Sequence, residues 1–121
     1  MSVYGRKYLN QPVFKQVRDK LIEVAKNHGT ITYGEVGEIM GIKQPGNHLS
    51  RETGQICGEI SEEEHRKGNP LLSAAVVRSD TGLPGDGFFY LANELNLYRS
   101  SEETKRDFWK RELQRVYEHP W

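Results

Sequence analysis

The tightest constraint in this sequence is the stretch from Thr32 to Ile60, which must form two helices with only a few residues between them. Thr32 and Glu35 have the S/T-x-x-E spacing of a capping box, in which hydroxyl and carboxylate satisfy free backbone donors at a helix start. Val36, Ile39 and Met40 supply a buried side, and Gly41 stops the helix after about two turns. Lys43-Gln44-Pro45-Gly46 has the composition of a turn. Leu49, Ile56 and Ile60 then mark the inner face of a second helix from about Asn47. Helices this close must pack on each other, so residues 33–58 read as a helix-turn-helix.

Gly54 and Gly58 each weaken the second helix by about 1 kcal/mol relative to Ala unless something packs closely there. Ser61 and Glu64 repeat the capping spacing, which predicts a separate short helix over 62–67, closed by Gly68-Asn69-Pro70. Upstream, Phe14, Val17, Leu21, Val24 and Ala25 form one apolar stripe on a helix over about 11–27, with Pro12 in its first turn. His28-Gly29 ends it, with Gly taking the left-handed conformation, and Ile31 to Tyr33 form a scrap of strand.

Downstream, the apolar run Leu71 to Val77 predicts a strand buried on both faces. Residues 79–87 are dense in turn formers and precede Phe88-Phe89-Tyr90, which predicts a strand-loop-strand over 71–90 with an extended tip. A short helix follows over Leu91 to Leu97. Ser100 and Glu103 are read as the cap of a last helix, about 101–118, in which Phe108, Trp109, Leu113, Val116 and Tyr117 line one side.

At 121 residues the chain fits one domain. No apolar run approaches the roughly 20 residues that span a bilayer, so no membrane partner is expected. With a single cysteine, Cys57, and no apolar leader, a cytoplasmic, reducing location is expected. The 17 basic and 17 acidic side chains cancel, which gives no global attraction to nucleic acid; any attraction must be local. Residues 1–20 carry five basic residues against Asp19, while Glu59, Glu62, Glu63 and Glu64 make an acidic cluster, read as a solvated face. His65 beside those glutamates does not make a metal site, and Asp80 and Asp86 lack the ligand order of a calcium loop. No metal, cofactor or catalytic residue is assigned.

Helix, short strand, helix, turn, helix, strand, loop, strand is the order of a winged helix. The expected class is therefore α+β, a winged-helix-like single domain with an additional C-terminal helix. Residues Phe14 to Phe89 resemble the DNA-binding domain of the O6-alkylguanine-DNA alkyltransferases and alkyltransferase-like proteins. Thr32-Tyr33-Gly34-Glu35-Val36-Gly37 is similar to that family's "SYGELA" opening, and Gly68-Asn69-Pro70 to its "GNP" step. The family's Pro-Cys-His-Arg motif is replaced by Leu72-Ser73-Ala74-Ala75-Val76-Val77-Arg78, so alkyl transfer to a thiolate is not expected there. The resemblance implies a non-enzymatic reader of duplex or modified DNA.

By that resemblance Tyr33 stands beside the DNA backbone and helps to turn a nucleotide out of the stack; the alternative is a Tyr half-buried against the first helix. Thr32 and the helix N–H groups beside it suit a phosphate. Gln44, Asn47, His48, Arg51 and Gln55 are the polar, outward candidates on the turn and second helix, with Arg51 placed to bind a guanine edge or fill the space of an expelled base. The family's "RAVG" reads Arg51-Glu52-Thr53-Gly54 here. Arg78 is either a phosphate contact or a solvated surface residue, and Cys57 either a small buried apolar residue or a reactive thiol. A second class of function stays open: a protein-interaction or small-ligand module built on the glycine- and phenylalanine-rich segment 83–89, with Trp109, Trp121 and Tyr117 either in an interface or closing the domain.

Overall fold

The computed structural model describes residues 2–121, which form five α-helices, one 3-10 turn and a two-stranded sheet. In chain order these are α1 (Pro12–Lys26), β1 (Ile31–Thr32), α2 (Tyr33–Ile39), α3 (Asn47–Arg66), the 3-10 turn Leu72–Ala75, β2 (Val76–Val77), α4 (Asp86–Glu94) and α5 (Lys105–Glu118). The class is α+β and strongly helical. No helix among the described residues is long and apolar enough to cross a membrane.

The stripe foreseen on α1 is buried at Phe14, Val17, Leu21 and Ala25. Its end differs in detail, since His28 takes the left-handed conformation (φ 53°), not Gly29. The His28 ring stacks on Tyr117 of α5 at 4.8 Å, and Tyr117 Oη donates to Gly29 O at 2.7 Å. That cross-link compensates the strain of a non-glycine residue there. The capping box at α2 forms as the sequence predicts: Glu35 N–H donates to Thr32 Oγ1 at 3.2 Å and Thr32 N–H to Glu35 Oε1 at 3.1 Å.

α3 is one continuous helix, with no separate helix over 62–67. The two presumed capping residues are committed elsewhere. Ser61 Oγ lies 2.6 Å from Ser73 Oγ and accepts from Ser73 N, while Glu64 accepts from Arg18 and Asn69. Gly37 lets α2 and α3 approach, because a Cβ there would meet Leu49 Cδ1 at 2.1 Å.

The strand-loop-strand over 71–90 does not form. Leu71 to Ala75 need no ladder because side chains satisfy their backbone: Leu71 N donates to Glu112, Ser73 N to Ser61, and Trp109 Nε1 donates to Ala74 O. Only Val76 and Val77 pair, in parallel, with Ile31 and Thr32. Phe88, Phe89 and Tyr90 lie in α4. The buried residues Phe88, Phe89, Leu91 and Ala92 share its inner face at helical spacing, and the turn before them is broken by Pro84. At the last helix, Thr104 is the cap, accepting from Asp107 N, whereas Glu103 pairs with Arg111. Trp109, Tyr117 and Trp121 pack on the core and so close the domain.

Most of the acidic cluster is not a solvated face: Glu59, Glu62 and Glu64 are buried, as is Glu52 upstream, and only Glu63 stays partly exposed, paired with Arg66. Glu62 accepts from Val3 N and Tyr4 N, each at 2.7 Å, and from Ser2 Oγ at 3.0 Å. Glu59 accepts from Tyr8 N at 2.8 Å and Leu9 N at 3.2 Å. Glu52 accepts from Lys7 Nζ and Tyr8 Oη, and Glu64 from Arg18 Nε at 2.7 Å. The opposite charges that lie apart in sequence meet in the fold, where residues 2–9 run along α3 as a strap.

Candidate functional site

A cavity of about 820 Å3 opens between the N-terminal half of α3, the mouth of α2 and the start of α4. Of the eight residues singled out from sequence, Thr32, Tyr33, Arg51, Gln55 and Arg78 line it. Gln44, Asn47 and His48 do not; they are exposed on the turn and first turn of α3, beside the cavity. The packing of α2 on α3 brings Tyr33 and Arg51 together, and β2, held against β1, delivers Arg78 to the same rim.

Tyr33 neither lies free at the surface nor packs only on α1. Its Oη accepts from Gly85 N at 2.9 Å, tying the mouth of α2 to the start of α4. Burial, then the nearby Cys57, raises the hydroxyl pKa above its usual value, so it stays a neutral O–H. Arg51 is exposed, with Nε 3.2 Å from Glu52 Oε2 and Nη2 3.5 Å from His48 Nδ1. Glu52 itself is held down to about 2 by hydrogen bonds from Lys7 first and Tyr8 next. The glutamate that stands in the "RAVG" position is therefore held by the strap through one carboxylate oxygen and by Arg51 through the other.

Gln55 is not an outward reader. Its Nε2 donates to Tyr4 O at 2.6 Å and to Glu59 Oε2 at 2.7 Å, so its amide fastens the strap. Arg78 is exposed at the rim, clamped by Asp80 through Nε (3.0 Å) and Nη2 (2.8 Å), a pairing that raises its own pKa and lowers that of the aspartate. The loop behind it closes on itself, with Arg78 N donating to Leu83 O and Gly82 N to Arg78 O. Cys57 forms part of the cavity wall but is buried, and burial pushes its thiol up to about 12. That is the environment of an inert thiol, not a reactive one.

Sequence reasoning missed Tyr4 and Ser73, which also line the cavity, whereas Asp86, Gly87 and Phe88, which line it too, belong to the segment 83–89 named as the small-ligand alternative. One signal for Tyr4 was present: Gly58, in the middle of a helix, makes sense only if something approaches it closely, and a Cβ there would sit 2.6 Å from the Tyr4 ring. Among the described residues no group of three or more His, Cys, Asp or Glu side chains is arranged to hold a metal ion. The cavity wall carries two arginines and two aspartates, Arg51, Arg78, Asp80 and Asp86, together with Tyr4, Tyr33, Phe88 and aliphatic side chains. Such a surface combines apolar rings with a few fixed polar groups, the usual make-up of a site for a small organic group. Comparison with models of protein families, with curated proteins and with solved structures finds no match.

Proposed function

We propose that the protein binds duplex DNA without catalysing a reaction, with the first turns of α3 at a groove and the cavity receiving a base displaced from the duplex. The observation that carries this reading is the convergence of Thr32, Tyr33, Arg51 and Arg78 on one cavity beside the exposed Asn47 and His48. A displaced base needs apolar, aromatic walls and a few hydrogen-bonding groups, while the adjoining phosphates need cations and helix N–H groups at the rim. The first turn of α3 contains no acidic residue and its cap is Gly46, so its N–H groups carry no side-chain acceptor. The resemblance to the alkyltransferase-like proteins is consistent with this arrangement, with the helix-turn-helix in the role it has in a winged helix and the 78–85 loop beside it.

The test is fluorescence-anisotropy titration of duplexes with and without O6-methylguanine, across a salt series, for the wild type and Arg51→Ala. Two to three phosphate contacts would give a log–log salt slope of about −2 to −3. Arg51→Ala should weaken binding several-fold and flatten that slope by about one. One observation favours a second reading. The arginines at the cavity are already paired with acids, which suits an uncharged small ligand held by the same walls. Absence of binding to any duplex at low salt would reject the nucleic-acid reading and leave that one.

A further inference from the structure

Residues 2–9 belong to no helix or strand, yet side chains and backbone of Ser2, Val3, Tyr4, Lys7, Tyr8 and Leu9 are all hydrogen-bonded to α3. Their role becomes clear at Tyr4. Its ring lies on α3 at Gly58, where a Cβ would come within 2.6 Å of three ring carbons. Its hydroxyl lies on α4, donating to Gly87 O at 2.9 Å, and a Cβ at Gly87 would come within 2.5 Å of that oxygen. Two glycines on different helices thus leave room for one side chain. A mid-helix glycine costs about 1 kcal/mol relative to alanine, so the seat at Gly58 is an expense the helix carries for this contact.

The backbone on both sides of that ring is fixed. Val3 N and Tyr4 N donate to Glu62, and Tyr4 O accepts from Gln55, so the ring has little freedom to swing away. It lines the same cavity as Tyr33 and Phe88.

We propose that the strap is a wall of the binding cavity and that Tyr4 is its specificity-determining residue, selecting a planar, uncharged ring by contact with its face or edge. This assignment rests on the proposed function for the identity of that ring, a nucleobase, but not for the geometry of the wall. Tyr4 hydrogen-bonds to the protein through its hydroxyl, so its contribution to a ligand is a rigid aromatic surface, which discriminates by shape and stacking and favours the base that leaves the duplex more readily, as a mispaired O6-methylguanine does.

The readout is the ratio of affinities for a duplex carrying O6-methylguanine and the matched unmodified duplex. Tyr4→Ala, which removes the wall, and Gly58→Ala, which expels the ring without removing it, should each bring that ratio to within twofold of one. Tyr4→Phe, which keeps the ring, should recover most of the wild-type ratio. Circular dichroism melts of all three establish that the fold persists. A wild-type ratio retained in both Tyr4→Ala and Gly58→Ala overturns the assignment while leaving DNA binding intact. If the wild type binds no duplex, the nucleic-acid reading fails by itself, and titration with free O6-methylguanosine followed by amide chemical shifts decides on Tyr4. Shifts at residues 57–58 and 87–88 that vanish in Tyr4→Ala support the wall, and shifts that persist unchanged overturn it.

Discussion

Replacing Arg18 by Gln should weaken the framework that carries the site. Glu64 is wholly buried on α3, and its carboxylate is held by Arg18 Nε at 2.7 Å, Arg18 Nη2 at 3.4 Å and Asn69 Nδ2 at 2.9 Å. Removing one partner of a buried ion pair costs about 3–5 kcal/mol, because the other charge stays behind without compensation. Arg18 is itself partly exposed, at 28%, so water reaches the vacated space, Asn69 still donates and Lys67 Nζ remains 4.0 Å away. The expected loss is therefore below that range, about 2–3 kcal/mol. For 121 residues the unfolding entropy near the melting point makes 1 kcal/mol worth about 4 °C, so the melting temperature should fall by roughly 8–12 °C at pH 7.

Its pH dependence is diagnostic. In the wild type the pKa of Glu64 is lowered, since the bonds from Arg18 and Asn69 outweigh a burial effect that alone would raise it. A lowered folded-state value means that the contribution is complete above the ordinary carboxylate range and lost as pH falls through the lowered value. With the guanidinium gone, burial prevails and the pKa moves up, so Arg18→Gln regains stability relative to wild type as Glu64 protonates in acid. Thermal melts by circular dichroism at pH 7 and pH 4 read both effects, with Lys15→Gln as control. Lys15 pairs with Asp19 on the open surface, and its loss should cost under about 0.5 kcal/mol. A loss under about 3 °C at pH 7 for Arg18→Gln, or one equal at both pH values, would refute a buried ionic pair.

Thr32→Val removes the hydroxyl of the capping box and should lower stability by about 1 kcal/mol; a urea midpoint equal to wild type would show that the cap is not needed. Cys57 should react with a thiol-specific disulfide reagent at pH 8 only after denaturant is added, because burial holds its pKa near 12; rapid labelling of the folded protein contradicts the packing described. Glu52, whose folded value is held to about 2, contributes fully above the ordinary carboxylate range, and that contribution fades as pH falls toward 2. The segment around Lys7 and Tyr8, whose side chains hold that carboxylate, should then loosen, and its amides should exchange faster at pH 2.5 than at pH 5 after correction for intrinsic rates, while those of Leu21 and Ile60 change less; equal behaviour would detach this part of the strap from Glu52.

What the sequence made legible was local chemistry. The Thr32–Glu35 box, the stripe on α1 and the turn at 43–46 each depend on residues a few positions apart, and each is present in the fold. Five of the eight candidate residues also share one cavity: Thr32, Tyr33, Arg51 and Gln55 lie on α2, its cap and α3, close in sequence, and only Arg78 needs the pairing of β2 with β1 to arrive there. What failed needed distant partners. Leu71 to Ala75 have the composition of a buried strand, but Ser61, Trp109 and Glu112 satisfy their backbone, and nothing local announces that. Glutamates at 59, 62 and 64 look like a solvated face until the strap and Arg18 that cover them are known. Gln55 has an outward reader's chemistry, yet its amide holds Tyr4 O.

The strap also divides the tolerance of the chain to substitution unevenly. Glu59 and Glu62 recognise main-chain N–H groups of residues 3, 4, 8 and 9, which every non-proline residue provides. Val3 can therefore change identity with little effect on docking, whereas the helix that receives it cannot lose its carboxylates. The instructions for placing the first residues are written some fifty positions downstream, in α3, and a saturation library should show it: broad acceptance at 3 with intolerance of proline there, and narrow acceptance at Tyr4, Gly58, Glu59 and Glu62, with Leu9 restricted to apolar residues by its packing on the core.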